Sequence, residues 1–363
     1  MKVIDIIAGA RPNFMKVGAV IRAMEERRQA GGILNYRLVH TGQHYDARMS
    51  HDFFTQLNIP EPHVNLEVGS GTQAEQAATI MVRYEQLLRK KSCDLCLVVG
   101  DVTSTMACAI VAQKSRIPVA HVEAGIRSGD WTMPEEINRM VTDAISNYFF
   151  TTSTIANENL LRAGVEEGRI HFVGNTMIDT LLANLKRLRA PAFWSDLGLQ
   201  AGGYFVLTLH RPSNVDEVSS FESLLHTIGE AARGLPVIFP VHPRTFKTLN
   251  GLSKLPSNIK LVEPQNYLEF NYLVQHSKAV LTDSGGITEE TTVLGVPCIT
   301  LRDTTERPET VIMGTNELVG SVPRAIKVAL DRLFAGQWKK GGIPELWDGR
   351  AGERIVAELE KIV

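Results

Sequence analysis

Residues 117–139, IPVAHVEAGIRSGDWTMPEEINR, read as a buried strand, a turn and the opening of a helix. A strand covered on both faces appears as an apolar run rather than as strict alternation. Ile117 to Val122 is such a run, and helical spacing follows from about Met133 to Asn147. The same rhythm occurs twice upstream, in KVIDIIAG before Asn13 to Arg27 and in DLCLVVGD before Ser104 to Lys114. Repeated strand, turn and helix units argue for a parallel α/β sheet with helices on both faces. The first half therefore reads as one doubly wound unit.

The stretch also collects Glu123, Asp130, Glu135 and Glu136 beside Arg127 and Arg139. Thr132 and Glu135 match a capping box, a purely structural use of the glutamate. Asn138 and Arg139 follow Glu135 at three and four positions, on one helix face. Ile137, Met140, Val141, Ala144 and Ile145 form the apolar face, which is expected to pack on the core and turn the charged face away from it.

Between Asn184 and Gly203 the strand rhythm lapses, and it resumes with YFVLTL, LPVIFPV, IKLVEP and KAVLTD. A second α/β domain begins there, as a chain of 363 residues allows. The expected division is residues 1–180 and 181–349, with the amphipathic segment 350–363 returning to the first domain. Ligands of open α/β sheets sit beyond the carboxyl ends of the strands, so two such domains predict a cleft with reactive residues just after strands in both halves.

Composition narrows the function. Hydrophobic residues make up 44%, charged residues 21%, and the net charge is −2, which favours neither disorder nor a broad nucleic-acid surface. An anionic ligand must then be held by local arginines, histidines or backbone N–H groups. No stretch approaches the ~20 apolar residues of a membrane span, and the apolar N-terminal run is too short for a signal peptide, so a cytoplasmic protein is expected. Cys93 and Cys96 form a lone CxxC without a second pair at metal-site spacing, and with Cys108 and Cys298 read as reduced, buried thiols.

The loaded residues do follow strands. After the first comes GARPNFMK, where Gly9 permits a tight turn, Arg11 offers a forked cation and a helix opens at about Asn13. In the second half, AVLTDSGGITEE places Ser284, Gly285 and Gly286 before a helix N-terminus, a cradle for a diphosphate that needs no lysine. Glu289 and Glu290 suit the helix dipole, and Glu290 also suits ribose hydroxyls. His210 and His242 end strands and are followed by Arg211 and Arg244, while LRDTTERPE adds Arg302, Thr305, Glu306 and Arg307. The first half supplies the carboxylates Asp101, Glu123 and Glu135 instead. Carboxylates opposite a diphosphate cradle, without a recognisable metal motif, point to proton chemistry on a sugar and leave the reaction open.

In this order GARPNFMK, TGQHYDARMS, GDVTST, HVEAGIRSGD, MPEEINR, VGNTMID, TLHRPSNVD, PVHPRT and TDSGGITEE resemble the non-hydrolysing UDP-N-acetylglucosamine 2-epimerase family, over nearly the whole chain. The resemblance implies the two-domain GT-B fold, no metal or other cofactor, a UDP-sugar as partner and a homodimer. It implies elimination of UDP to an acetamidoglucal and re-addition with the opposite configuration at carbon 2. Asp101, Glu123, Glu135 and His210 match the family's essential residues. Arg11, Lys16, Ser284, Gly285, Gly286 and Glu290 match positions that hold UDP, and Arg139, His242, Arg244, Phe270 and Arg307 complete the candidate binding set.

Many members read HRREN where this chain has His210, Arg211, Pro212, Ser213 and Asn214. Some bind a second UDP-sugar near that loop as an activator, with the loop carrying Gln43 and His44. The departure implies weakened or absent activation, and leaves open a modified substrate such as a 2,3-diacetamido sugar. A hydrolysing epimerase, a GT-B glycosyltransferase and a binding module without catalysis are the remaining alternatives.

Overall fold

The computed structural model describes residues 2–9, 11–42, 56–241 and 243–363; the side chains of Arg11, Pro12, Pro243 and Arg244 lie outside this description. The chain forms two compact units, Met1–Asn184 with Glu345–Val363, and Leu185–Pro344.

The first unit is built on seven parallel strands in the order β3-β2-β1-β4-β5-β6-β7. These are β1 (Lys2–Ala8), β2 (Leu34–His40), β3 (Val64–Asn65), β4 (Leu95–Val99), β5 (Val119–Val122), β6 (Tyr148–Thr151) and β7 (Ile170–Phe172). All five residues of β4 and all four of β5 are buried, as strands with helices on both faces require. The order reverses at β1, whose neighbours are β2 and β4, so the switch point lies between the carboxyl ends of β1 and β4.

The second unit carries six parallel strands in the order β10-β9-β8-β11-β12-β13. They are β8 (Phe205–Thr208), β9 (Val237–Pro240), β10 (Ile259–Val262), β11 (Ala279–Thr282), β12 (Cys298–Thr300) and β13 (Asn316–Leu318). Its core is packed from Phe205, Leu207, Phe221, Phe239 and Leu281 among others. Here the switch point falls between β8 and β11. The fold class read from the sequence, two doubly wound parallel-sheet domains, is present.

The terminal helix Ala351–Ile362 buries Ile355, Val356 and Leu359 against the helices Arg11–Gln29 and Thr176–Asn184. Its first amides are met by Asp179, which accepts from Ala351 N at 3.1 Å and Gly352 N at 2.7 Å. No helix among the described residues is long and apolar enough to cross a membrane. All four cysteines are free and buried.

The helix Pro134–Ile145 corrects two expectations. It buries Glu136, Asn138, Arg139, Thr142 and Asp143, whereas Ile137 is 45% exposed. The polar face turns inward because its partners, described below, come from the ends of β4 and β5 and from residues 125–129. The expected capping box is also absent. Met133 is the N-cap without a side-chain bond, and Thr132 donates its hydroxyl to Asp130 Oδ1 at 2.6 Å.

Candidate functional site

In the first unit the chain leaves β4 through Gly100, at φ +70°, before the helix Thr103–Lys114. A Cβ at Gly100 would lie 3.2 Å from Lys16 Nζ and 3.6 Å from Glu123 Oε2, so the missing side chain lets the helix carrying Lys16 and the turns after β4 and β5 meet. Asn13, on the helix Arg11–Gln29, donates to Val99 O at 2.8 Å and ties the ends of β1 and β4 together.

Two candidate carboxylates meet cations here. Glu123 follows β5 in a left-handed conformation, φ +68°, uncommon for a residue with a Cβ. Its Oε2 lies 2.5 Å from Lys16 Nζ, and both side chains are nearly buried. Asp101, 29% exposed at its side chain, accepts from Arg139 Nε at 3.0 Å and from the guanidinium NH2 group at 2.5 Å. Asn138 donates to Asp101 O at 2.8 Å.

Glu136 and Glu135 separate in role. Glu136 accepts from Ser128 N, Ser128 Oγ and Gly129 N, each at 3.0 Å, and from Arg139 at 2.7 Å. Burial alone would raise its pKa, but these donors hold it below the usual carboxylate range. Glu136 thus shapes the turn before the helix. Glu135, half-buried in the first helical turn, forms no ion pair with the described residues.

A buried network joins these loops from beneath. His121 Nε2 donates to Gly100 O at 2.8 Å, and Nδ1 faces Asp143 Oδ1 at 2.7 Å. Asp143 also accepts from Gly125 N at 3.1 Å and from Arg127 at 2.6 Å. Burial opposes its ionisation, yet His121 and Arg127 keep its carboxyl below the usual range. With both nitrogens engaged and no exposed surface, His121 is a clamp on the strand ends.

In the second unit His210 lies just after β8, and its Nδ1 is 2.8 Å from Oδ1 of Asp283, which follows β11, across the switch point. Its side chain is 42% exposed. Ser284 is the N-cap of the helix Gly285–Leu294, where residues 284–286 are half-buried. Glu306 reaches this turn. A Cβ at Gly285 would stand 2.3 Å from Glu306 Oε1, and Glu306 pairs with Arg302 at 2.8 Å.

Glu290 is buried on the same helix and accepts from Asn271 at 3.3 Å. Burial, with some repulsion from Glu289, pushes its carboxyl up to about 7, although Tyr267 and Asn271 partly offset this. Arg307 is buried beside Glu289, with Nε 2.5 Å from Oε1. Phe270 is half-buried against the core of Tyr204, Val206 and Leu273. Gln43, His44 and His242 lie outside the described residues, as do the side chains of Arg11 and Arg244.

Each switch point therefore carries residues singled out in the sequence, Lys16, Asp101 and Glu123 in one unit and His210 with residues 284–286 in the other. Sequence reading missed Asp283, His121 and Asp143. The only linear signal for Asp283 was an acidic residue between a strand and a glycine pair.

The sequence profile of a family described as UDP-N-acetylglucosamine 2-epimerase matches residues 26–360. The UDP-N-acetylglucosamine 2-epimerase of Methanocaldococcus jannaschii is 44% identical over 371 residues covering 98% of each chain. The UDP-2,3-diacetamido-2,3-dideoxy-D-glucuronate 2-epimerase of Pseudomonas aeruginosa is 38% identical, with 100% of each chain covered. The crystal structure of the M. jannaschii UDP-GlcNAc 2-epimerase in complex with UDP-GlcNAc and UDP matches with a TM-score of 0.88 at 42% identity, covering 99% of this chain and 100% of that one. Sequence and fold agree along the whole chain, which belongs to the UDP-N-acetylglucosamine 2-epimerase family.

Proposed function

We propose that this protein interconverts UDP-N-acetylglucosamine and UDP-N-acetylmannosamine without hydrolysis. The reading rests on the end-to-end relation to the M. jannaschii enzyme, whose crystals hold UDP-GlcNAc and UDP. A carboxylate base takes the proton at carbon 2, and the bond from carbon 1 to oxygen breaks with its electron pair leaving on UDP. The acetamidoglucal that remains receives UDP again at carbon 1 as a proton returns to the other face of carbon 2.

Asp101, Glu123 and Glu135 handle the proton in this reading, with Lys16 and Arg139 balancing charge. His210 and the N–H groups of the turn at residues 284–286 stabilise the charge growing on the departing diphosphate. Arg11, with His242, Arg244, Phe270 and Arg307 as further candidates, completes the UDP contacts in this reading, and Glu290 meets the ribose.

Proton NMR with UDP-N-acetylglucosamine in deuterium oxide tests the proposal. Deuterium at carbon 2 together with UDP-N-acetylmannosamine is expected. Free N-acetylmannosamine would mean a hydrolysing enzyme instead, and bound UDP without exchange would mean a different sugar or a transferase. The P. aeruginosa relative favours a second substrate, the 2,3-diacetamido glucuronate, and a higher kcat/KM on it in the same assay would replace N-acetylglucosamine in the proposal.

The free cysteines suit a reducing compartment, and we place the enzyme in the cytoplasm. We also propose a homodimer, as the family resemblance implies. Light scattering should report a dimer, and a monomer would remove this assignment. The replacement of HRREN by HRPSN supports a rate curve unaffected by UDP-N-acetylglucosamine as activator.

A further inference from the structure

The ends of β8 and β11 close around Asp283. This residue is fully buried, and its carboxylate gathers donors from His210, Arg211 and Asn214 of the HRPSN loop. Oδ1 faces His210 Nδ1 at 2.8 Å and His210 N at 3.2 Å. Oδ2 accepts from His210 N at 3.0 Å, Arg211 N at 2.9 Å and Asn214 Nδ2 at 3.2 Å. Arg211 Nε donates to the carbonyl of Asp283 at 3.1 Å. Burial alone would raise its pKa, but His210 and the backbone N–H groups of His210 and Arg211 hold it below the usual carboxylate range. An ionised carboxylate can only accept, so His210 Nδ1 carries a proton.

We propose that Asp283 is the positioning residue of His210, holding the ring with Nδ1–H turned inward so that Nε2 is the nitrogen presented to the departing diphosphate. The contrast with His121 supports this. That ring has the same carboxylate partner geometry, but both of its nitrogens are spent inside the fold. His210 commits Nδ1 to Asp283 and keeps a substantial exposed surface. A carboxylate behind an imidazole fixes its tautomer and orientation and favours the protonated ring as charge develops opposite it.

The chemistry assigned to His210 rests on the epimerase reading, whereas the tautomer does not. The substitution Asp283→Asn makes a specific change. Its amide NH2 group in the Oδ2 place would face Arg211 N and Asn214 Nδ2 as well as His210 N. In the Oδ1 place it meets mainly His210 Nδ1. The second orientation leaves fewer donors opposed, and it forces Nδ1 to accept, moving the ring proton to Nε2.

The test measures nitrogen-15 shifts of His210 and carbon 2 exchange in Asp283→Asn, His210→Asn and the double variant. Nδ1 is expected protonated in the wild type and unprotonated in Asp283→Asn. We expect kcat to fall by about 10²-fold, with UDP affinity within about twofold of wild type, because the interaction is made in the transition state. In the His210→Asn background, Asp283→Asn should cost no further activity, which also separates positioning from any loss of folding. A protonated Nδ1 in Asp283→Asn, an undiminished kcat, or a full additional loss in the double variant would each overturn the proposal. A wild type that exchanges nothing at carbon 2 would mean a different sugar or a transferase, and the nitrogen shifts would still decide the positioning of His210.

Discussion

Lys16 Nζ lies 2.5 Å from Glu123 Oε2, joining residues 107 apart in the chain, one on the helix that follows β1 and the other just after β5, two strands away across β4. A buried carboxylate with an ammonium partner can exchange a proton only as that partner responds, so the pair should act as a unit. Glu123→Gln is expected to slow carbon 2 exchange by about 10²- to 10⁴-fold and to leave UDP binding intact. Lys16→Met removes one partner of a buried pair and should also lower stability, by about 3 kcal/mol. Exchange rates and thermal melts of both variants check this, and normal exchange in Glu123→Gln would take Glu123 out of the reaction.

Glu135 and Glu136 are adjacent but should fail differently. Glu136→Gln disturbs a buried set of four donors, and a loss of about 2–4 kcal/mol in unfolding free energy is expected. Glu135→Gln should change stability by no more than about 0.5 kcal/mol, because its side chain holds no ion pair with the described residues. Its exchange rate should fall by about 10²-fold or more. Denaturant melts and single-turnover exchange separate the two, and the opposite pattern would move the catalytic assignment to Glu136.

Glu290 makes stability depend on pH. Burial raises its carboxyl in the fold from 4.5 to about 7, so the folded chain binds the proton more tightly than the unfolded chain. The contribution is fully present below about pH 4.5, declines as pH rises toward about 7 and is lost above it, on the order of 3 kcal/mol. Urea melts between pH 4.5 and 8 should show this fall, and Glu290→Gln should flatten it. An unchanged slope in the variant would assign the effect to other groups.

Asp179 should act on one helix. It meets the first amides of Ala351–Ile362, and that helix packs on Arg11–Gln29, which also carries Lys16. Asp179→Ala is expected to cost about 1–2 kcal/mol, as loss of a helix cap does. Amide exchange by mass spectrometry should quicken mainly in residues 351–363. A uniform increase along the chain would contradict a local staple.

Much of the candidate site was legible because doubly wound sheets place ligand-facing residues directly after buried strands. Asp101 follows β4, Glu123 follows β5 and His210 follows β8, so an apolar run marked each in the linear sequence. What was not legible is the set of partners. The pairing of His210 with Asp283 spans 73 residues, and nothing near either one signals the other.

The sequence by itself determined the run of apolar strands, and so two parallel sheets with helices on their faces, because a strand buried on both sides needs no partner to declare its pattern. Tertiary structure decided which face of Pro134–Ile145 turns inward. By composition Ile137 and Ala144 should be covered, yet Glu136, Arg139 and Asp143 are, because Asp101, Ser128, Gly129, His121 and Arg127 converge there with hydrogen bonds and opposite charge. A buried polar face is stable only when every group finds its partner, and those partners come from segments that only the folded chain brings together.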